Sequence, residues 1–192
     1  NSILKAIKEL GFIEQTPVQN KIIPYLLDSN IDLIVSAQTG TGKTAAFGLP
    51  IIQLTNTDTI DTQTLILCPT RELCKQIADD IFKYSKYVNG LKVLSIYGGA
   101  NIEPQIKALK KGSHIVIGTP GRTKDLIKRK KLLLNNLDRI ILDEADEMLT
   151  MGFKDDLDFI LSKTPNKRQT LLFSATMPKH ILMIAEKYME NP

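Results

Sequence analysis

The chain has 192 residues, of which 43% are hydrophobic and 24% charged, with a formal net charge of +4 at pH 7. That length suits one α/β domain over residues 1–192, able to bury a core without disulfides or metals. No apolar run reaches the length of a membrane span, and the N-terminus shows no signal-peptide pattern, so the expected setting is cytoplasmic and free of membrane.

In chain order, a helical pattern from Asn1 suggests a fragment that opens inside a helix. A helix follows over Val18–Leu27, then an apolar strand Leu33–Ser36 and a helix Lys43–Leu54. Asn56–Gln63 reads as a surface loop. The pattern continues with strand Thr64–Cys68, helix Glu72–Val88, strand Lys92–Tyr97 and helix Glu103–Lys111. Strand His114–Gly118, helix Arg122–Arg129 and strand Arg139–Asp143 come next. Helix Phe153–Ser162, strand Thr170–Ser174 and helix Lys179–Met189 close the chain. Most of the strands are apolar continuously rather than alternately, as in strands covered on both faces. Strands alternating with helices predict a three-layer α/β fold with a mostly parallel sheet and right-handed crossovers.

In such sheets, ligands gather at the carboxyl ends of the strands, and each strand here is followed there by a polar segment. The first is Ala37-Gln38-Thr39-Gly40-Thr41-Gly42-Lys43-Thr44. Strand, Gly-rich loop and helix in that order build a phosphate cradle. Gly40 and Gly42 free the backbone, Lys43 adds charge, Thr44 offers a hydroxyl to a phosphate-bound Mg²⁺, and the helix directs its positive end at the same anion. Ala37 stands where the usual pattern has Gly.

The fifth strand ends in Asp143-Glu144-Ala145-Asp146. Carboxylates this dense repel unless a cation sits among them. Asp143 is the natural metal-side ligand, through water, since Mg²⁺ keeps much of its hydration shell. Glu144 can orient or deprotonate a water aimed at the terminal phosphate. Asp146 then couples the site to a neighbouring loop. The competing reading is an acidic start to the next helix. The expected geometry brings Lys43 and the acidic pair together across adjacent strand tips.

Gln19 has two readings. Thr16-Pro17-Val18-Gln19 fits a capping box, with Thr16 as N-cap and Pro17 in the first helical position. Alternatively, the Gln amide pairs with the N6/N7 edge of adenine. Lys128–Lys131 is the one basic cluster; a solvated helix end is favoured over a phosphate-contacting patch. Cys68 ends an apolar run, and Cys74 shares a helix stripe with Ile77, Ala78, Ile81 and Phe82. Both read as core thiols in a reducing compartment.

With these motifs in hand, the chain resembles the first RecA-like domain of a DEAD-box RNA helicase, from about Gly11 to the C-terminus. Gly11-Phe12, Thr16-Pro17 and Gln19 resemble the adenine-reading Q motif, and Ala37–Thr44 resembles motif I. Pro69-Thr70-Arg71-Glu72-Leu73 resembles motif Ia, Gly98-Gly99 the GG element, and Thr119-Pro120-Gly121-Arg122 motif Ib. Asp143–Asp146 resembles motif II and Ser174-Ala175-Thr176 motif III.

The resemblance implies that Phe12, Thr16, Gln19 and residues 37–44 bind ATP with Mg²⁺, and that Lys43, Asp143 and Glu144 serve hydrolysis. It implies that motifs Ia, Ib and GG hold an RNA backbone without reading sequence. Ser174, Ala175 and Thr176 would link Asp146 to strand separation. Cys74 stands where Ala is common in the family, and Gln15 where Pro is frequent. The resemblance also implies a second RecA-like domain of the same protein, carrying arginine fingers, beyond this chain. The isolated domain is then a nearly inactive monomer, whereas the parent protein unwinds RNA. An ATP-gated RNA clamp with little turnover is the alternative.

Overall fold

The computed structural model describes residues 2–192. Six strands form one sheet: β1 (Leu33–Ser36), β2 (Thr64–Leu67), β3 (Val93–Ile96), β4 (Ile115–Gly118), β5 (Arg139–Leu142) and β6 (Gln169–Ser174). Their order is β1-β6-β5-β2-β4-β3, and all five pairings are parallel. The sheet is therefore wholly rather than mostly parallel. The central strands are buried along their full length, which accounts for their unbroken apolar sequences; the edge strands β1 and β3 are half-buried.

Alternate side chains feed two cores. Ile66, Ile141, Leu171 and Phe173 pack under α1 (Ser2–Glu9), α2 (Pro17–Asp28), α3 (Lys43–Leu54) and α4 (Arg71–Tyr84). On the other face, Leu65, Leu67, Ile140, Leu142 and Leu172 pack under the remaining helices. These are α5 (Ile102–Lys110), α6 (Pro120–Lys128), α7 (Ala145–Thr150), α8 (Lys154–Leu161) and α9 (Lys179–Tyr188). Among the described residues, no helix is long and apolar enough to cross a membrane.

Three local expectations need correction. α4 stops at Tyr84 rather than Val88, because residues 85–88 close into tighter turns: Lys86 N–H bonds Lys83 O, and Val88 N–H bonds Ser85 O. Phe82 is 52% exposed and stands off the stripe formed by Cys74, Ile77, Ala78 and Ile81; the stripe continues through Tyr84 instead. A short helix, α7, begins at Ala145, where the chain-order reading placed no helix, and Gly152 at φ +85° separates it from α8.

Candidate functional site

The loop after β1 delivers α3 without a side-chain cap. Gly42 is the N-cap at φ +87°, ψ +20°, and Gly40 lies at φ +79°. Among the described residues, no acceptor takes the N–H groups of Gly40, Gly42, Lys43 or Thr44. An uncapped helix start with aligned N–H groups is an anion receptor. Gly42 is fixed by space as well as by φ: a Cβ there would lie 2.5 Å from Gln19 Nε2 and 3.1 Å from Thr16 Oγ1.

Gln19 makes the capping box that one of its two sequence readings expects, and a further tie beyond it. Its backbone N–H donates to Thr16 Oγ1 and its Oε1 accepts from Thr16 N–H, completing the capping box. Its Nε2 then donates to Gly42 O at 3.2 Å, tying α2 to the loop before α3. One amide lone pair and one amide hydrogen remain for a ligand edge.

Lys43 Nζ lies 3.4 Å from Asp143 Oδ1, with both side chains buried. That is long for a charge-assisted hydrogen bond. Asp143 Oδ1 makes no hydrogen bond within geometric limits, so its contact with Lys43 is an ion pair. Burial pushes the Asp143 carboxyl up, and Lys43 only partly offsets this. Glu144 is raised by burial and then by the negative charge of Asp143. It also sits in the left-handed region at φ 54°, ψ 50°, where it is the N-cap of α7. The buried Asp143 carboxylate and the Thr44 hydroxyl supply oxygens that fit a hydrated Mg²⁺, and the Lys43 ammonium supplies charge for the phosphate chain that would carry it.

Lys43 and Asp143 meet although their strands are not neighbours. β6 separates β1 from β5, which corrects the expectation of adjacent tips. The loop after β1 arches across the end of β6, anchored by Ala37 N–H to Ser174 O at 3.2 Å. Beyond it, Asp146 Oδ2 accepts from Thr176 N–H at 2.9 Å and from Thr176 Oγ1 at 2.7 Å. Burial raises the Asp146 carboxyl, but hydrogen bonds from Thr176 and Ser174 outweigh it and hold the group below its usual range. Ala175 is exposed beside them.

A cavity of about 330 Å³ opens over this region, with Gln19, Gly42, Lys43, Thr44, Asp143 and Glu144 in its walls. Phe12, 42% exposed, sits at its rim edge-on to Tyr84, ring centroids 6.0 Å apart. The fourth wall is α4, through Leu73, Gln76, Asp80 and Tyr84. Sequence reasoning missed those four; their three- and four-residue spacing along one helix face was the available signal. Burial, then Asp80, pushes the Tyr84 phenol up to about 12. Ala37, Gln38 and Thr41 face instead a larger hollow of about 640 Å³ between α2 and β1.

The remaining motifs occupy the other half of the strand-end edge, on the adjacent strands β2, β4 and β3. Thr70 caps α4, accepting from Leu73 N–H, and follows the buried Pro69. Arg71 lies over the Tyr97 ring at 4.9 Å. Gly98 and Gly99 are exposed after β3, Gly99 at φ +72°. Thr119 occupies the N-cap of α6, but its hydroxyl makes no cap hydrogen bond; Pro120 takes the first turn and Gly121 is exposed. Arg122 donates to Ala100 O at 3.0 Å, while its other terminal nitrogen is buried without a partner. The basic run Lys128–Lys131 begins where α6 ends, as the helix-end reading expects.

The sequence profile of the DEAD/DEAH box helicases matches residues 16–184. The chain is 52% identical over 190 residues to the DEAD-box ATP-dependent RNA helicase CshA of Streptococcus pneumoniae, covering 99% of the chain and 36% of that protein. It is 50% identical to CshA of Bacillus subtilis, covering all of the chain and 38% of that protein. The chain thus spans little more than a third of the curated relatives' length. A DEAD box protein crystal structure from the hyperthermophile Methanococcus jannaschii superposes with a TM-score of 0.95 at 48% identity, over the full chain and 52% of that structure. By this match over most of its length, the chain belongs to the DEAD/DEAH box helicase family.

Proposed function

We propose that this chain is the ATP- and RNA-binding half of an ATP-dependent RNA helicase, with Mg²⁺ as the metal. The observation that carries the reading is the meeting of Lys43 and Asp143 at 3.4 Å below an uncapped helix start, with Glu144 alongside. In this reading the N–H groups of residues 40–44 and the Lys43 ammonium hold the phosphates. Thr44 and, through water, Asp143 hold the metal, which when bound adds positive charge between phosphate oxygens. Gln19 offers its free lone pair and hydrogen to adenine.

Glu144 is placed to take a proton from a water attacking the terminal phosphorus. The water oxygen bonds to phosphorus, the bridging P–O bond breaks, and ADP leaves with the electron pair. Burial and the Asp143 charge raise the affinity of Glu144 for that proton, which suits a base. The exposed positions Arg71, Gly98–Gly99 and Gly121 support contact with a sugar-phosphate backbone, which carries no sequence information.

The length of the relatives supports a second RecA-like domain elsewhere in the whole protein, and with it local unwinding of RNA; residues 1–192 alone then turn over almost no ATP. The test is Glu144→Gln in the full-length protein. ATP binding is retained and hydrolysis falls by roughly 10²–10⁴-fold. Unchanged turnover removes Glu144 from the reaction.

A further inference from the structure

Two thiols that the proposed reaction does not use lie beneath motif Ia. Cys68 follows the last residue of β2, its N–H held by Gly118 O at 3.1 Å. Cys74 sits in the first turns of α4, its N–H on Thr70 O at 3.0 Å. Their sulfurs are 3.0 Å apart. The other polar contacts of Cys68 Sγ, to Thr70 O and Gly118 O, are 3.8 and 3.9 Å. Each sulfur is thus held by backbone on a fixed element and faces the other across a gap about 1 Å longer than an S–S bond.

We propose that Cys68 and Cys74 form a dithiol–disulfide site, closed by small peroxides and reopened by small thiols. A peroxide oxidises one thiol to a sulfenic acid, releasing water. The second sulfur displaces hydroxide from that sulfur, the S–S bond forms, and the displaced group leaves as a second water with the second thiol's proton. Two thiols lose two electrons and two protons in all, and the peroxide is reduced. A thiol such as glutathione reverses the closure by exchange.

The fold brings the two sulfurs together and delays their oxidation. Both residues are fully buried in the core under α4. The Cys68 thiol is held well above its ordinary range by its hydrogen bond with Cys74, by burial, and by the negative charges near it. Oxidant therefore enters when the intervening turn opens. That turn has half-buried Thr70 and exposed Arg71, with the Arg71 side chain resting on the Tyr97 ring. The ring closed by the disulfide contains residues 69–73, the whole of motif Ia. Drawing the sulfurs together moves the start of α4 against β2 and re-aims Thr70 and Arg71. This consequence rests on the RNA-binding reading given above; the crosslink itself does not.

The test is peroxide treatment of the reduced protein, followed by alkylation under denaturing, non-reducing conditions and intact mass analysis. The expected product is a monomer about 2 Da lighter with no alkylatable thiol, a peptide linking Cys68 to Cys74, and recovery of both thiols with glutathione. The Cys74→Ala variant, which takes the residue common in the family, stays folded and forms no intrachain link. Two alkylatable thiols after prolonged exposure, sulfinic acids at either position, or links only between chains would overturn the proposal. Fluorescence anisotropy with single-stranded RNA then reads the consequence. Oxidation weakens binding by about tenfold, the scale of one charge-assisted contact, and leaves Cys74→Ala unaffected. A closed disulfide with unchanged RNA affinity would refute the coupling to motif Ia while leaving the redox site standing.

Discussion

Glu144 carries a backbone and charge cost in the ligand-free domain, and replacing it tests whether stability and the proposed function separate there. The residue lies at φ 54°, ψ 50°, a region that costs an L-residue with a β-carbon roughly 1–2 kcal/mol. Its carboxyl is raised by burial and by Asp143, so at neutral pH its charge also opposes folding. Asn tolerates the left-handed conformation better than most residues and carries no charge. Glu144→Asn should therefore stabilise the ligand-free domain by about 1 kcal/mol. At this chain length that is roughly 2–4 °C in melting temperature. Glu144→Gln keeps the backbone strain and removes only the charge, so it should gain less. Differential scanning calorimetry without nucleotide separates the two, and ATP hydrolysis in the full-length protein should fall in both. A Glu144→Asn melting temperature at or below wild type would show that the left-handed residue stores no strain.

Three further outcomes follow from the same geometry. Gly42→Ala places a methyl 2.5 Å from Gln19 Nε2 at φ +87°; it should cost about 1–2 kcal/mol in a thermal melt and weaken nucleotide binding measured by calorimetry, and wild-type values for both would contradict the cradle. Gln19→Ala should lower stability by about 1 kcal/mol as a lost cap and cut the ATP-over-GTP preference by about 1–3 kcal/mol; stability loss with intact selectivity would leave Gln19 a cap alone. Asp143 and Glu144 have raised folded values, so their contribution is full below about pH 4 and lost as pH rises through those values. Asp146 is lowered, so its contribution is present above about pH 4 and lost as pH falls through its folded value. The ligand-free melting temperature should therefore gain from Asp143 and Glu144 as pH falls from about 7 towards about 4, and that gain should shrink in Glu144→Gln; an identical pH profile would refute the assignment.

Much of the site was legible because its parts are local. A glycine-rich loop between strand and helix, and a Thr-Pro-x-Gln helix start, each declare their geometry within a few residues, and Lys43–Leu54 matches α3 to the residue. What stayed hidden depends on contacts between distant residues. Gln19 to Gly42 spans 23 positions, and the α4 wall of the cavity is set by how that helix lies on the sheet. The short α7 was obscured because Asp143–Asp146 reads first as chemistry, and its N-cap takes an angle that propensity does not foresee for Glu.

The strand order shows how one wrong expectation is informative. Had β1 and β5 been neighbours, the phosphate loop and the acidic segment would touch directly, and Ser174–Thr176 would lie at the margin. With β6 between them, its tip is held on both sides: Ser174 O takes Ala37 N–H from the loop, and Thr176 binds Asp146 through backbone and hydroxyl. Ser174 Oγ donates to Thr176 O at 2.6 Å, so the two anchors share one short turn. In the function proposed above, a shift of the loop around phosphates would pull on the turn whose Ser174 and Thr176 hold Asp146. The composition of Ser174-Ala175-Thr176 fits that turn: the Ser174 hydroxyl closes it on Thr176 O, the Ser174 carbonyl accepts from the loop, and the Thr176 N–H and hydroxyl donate to Asp146.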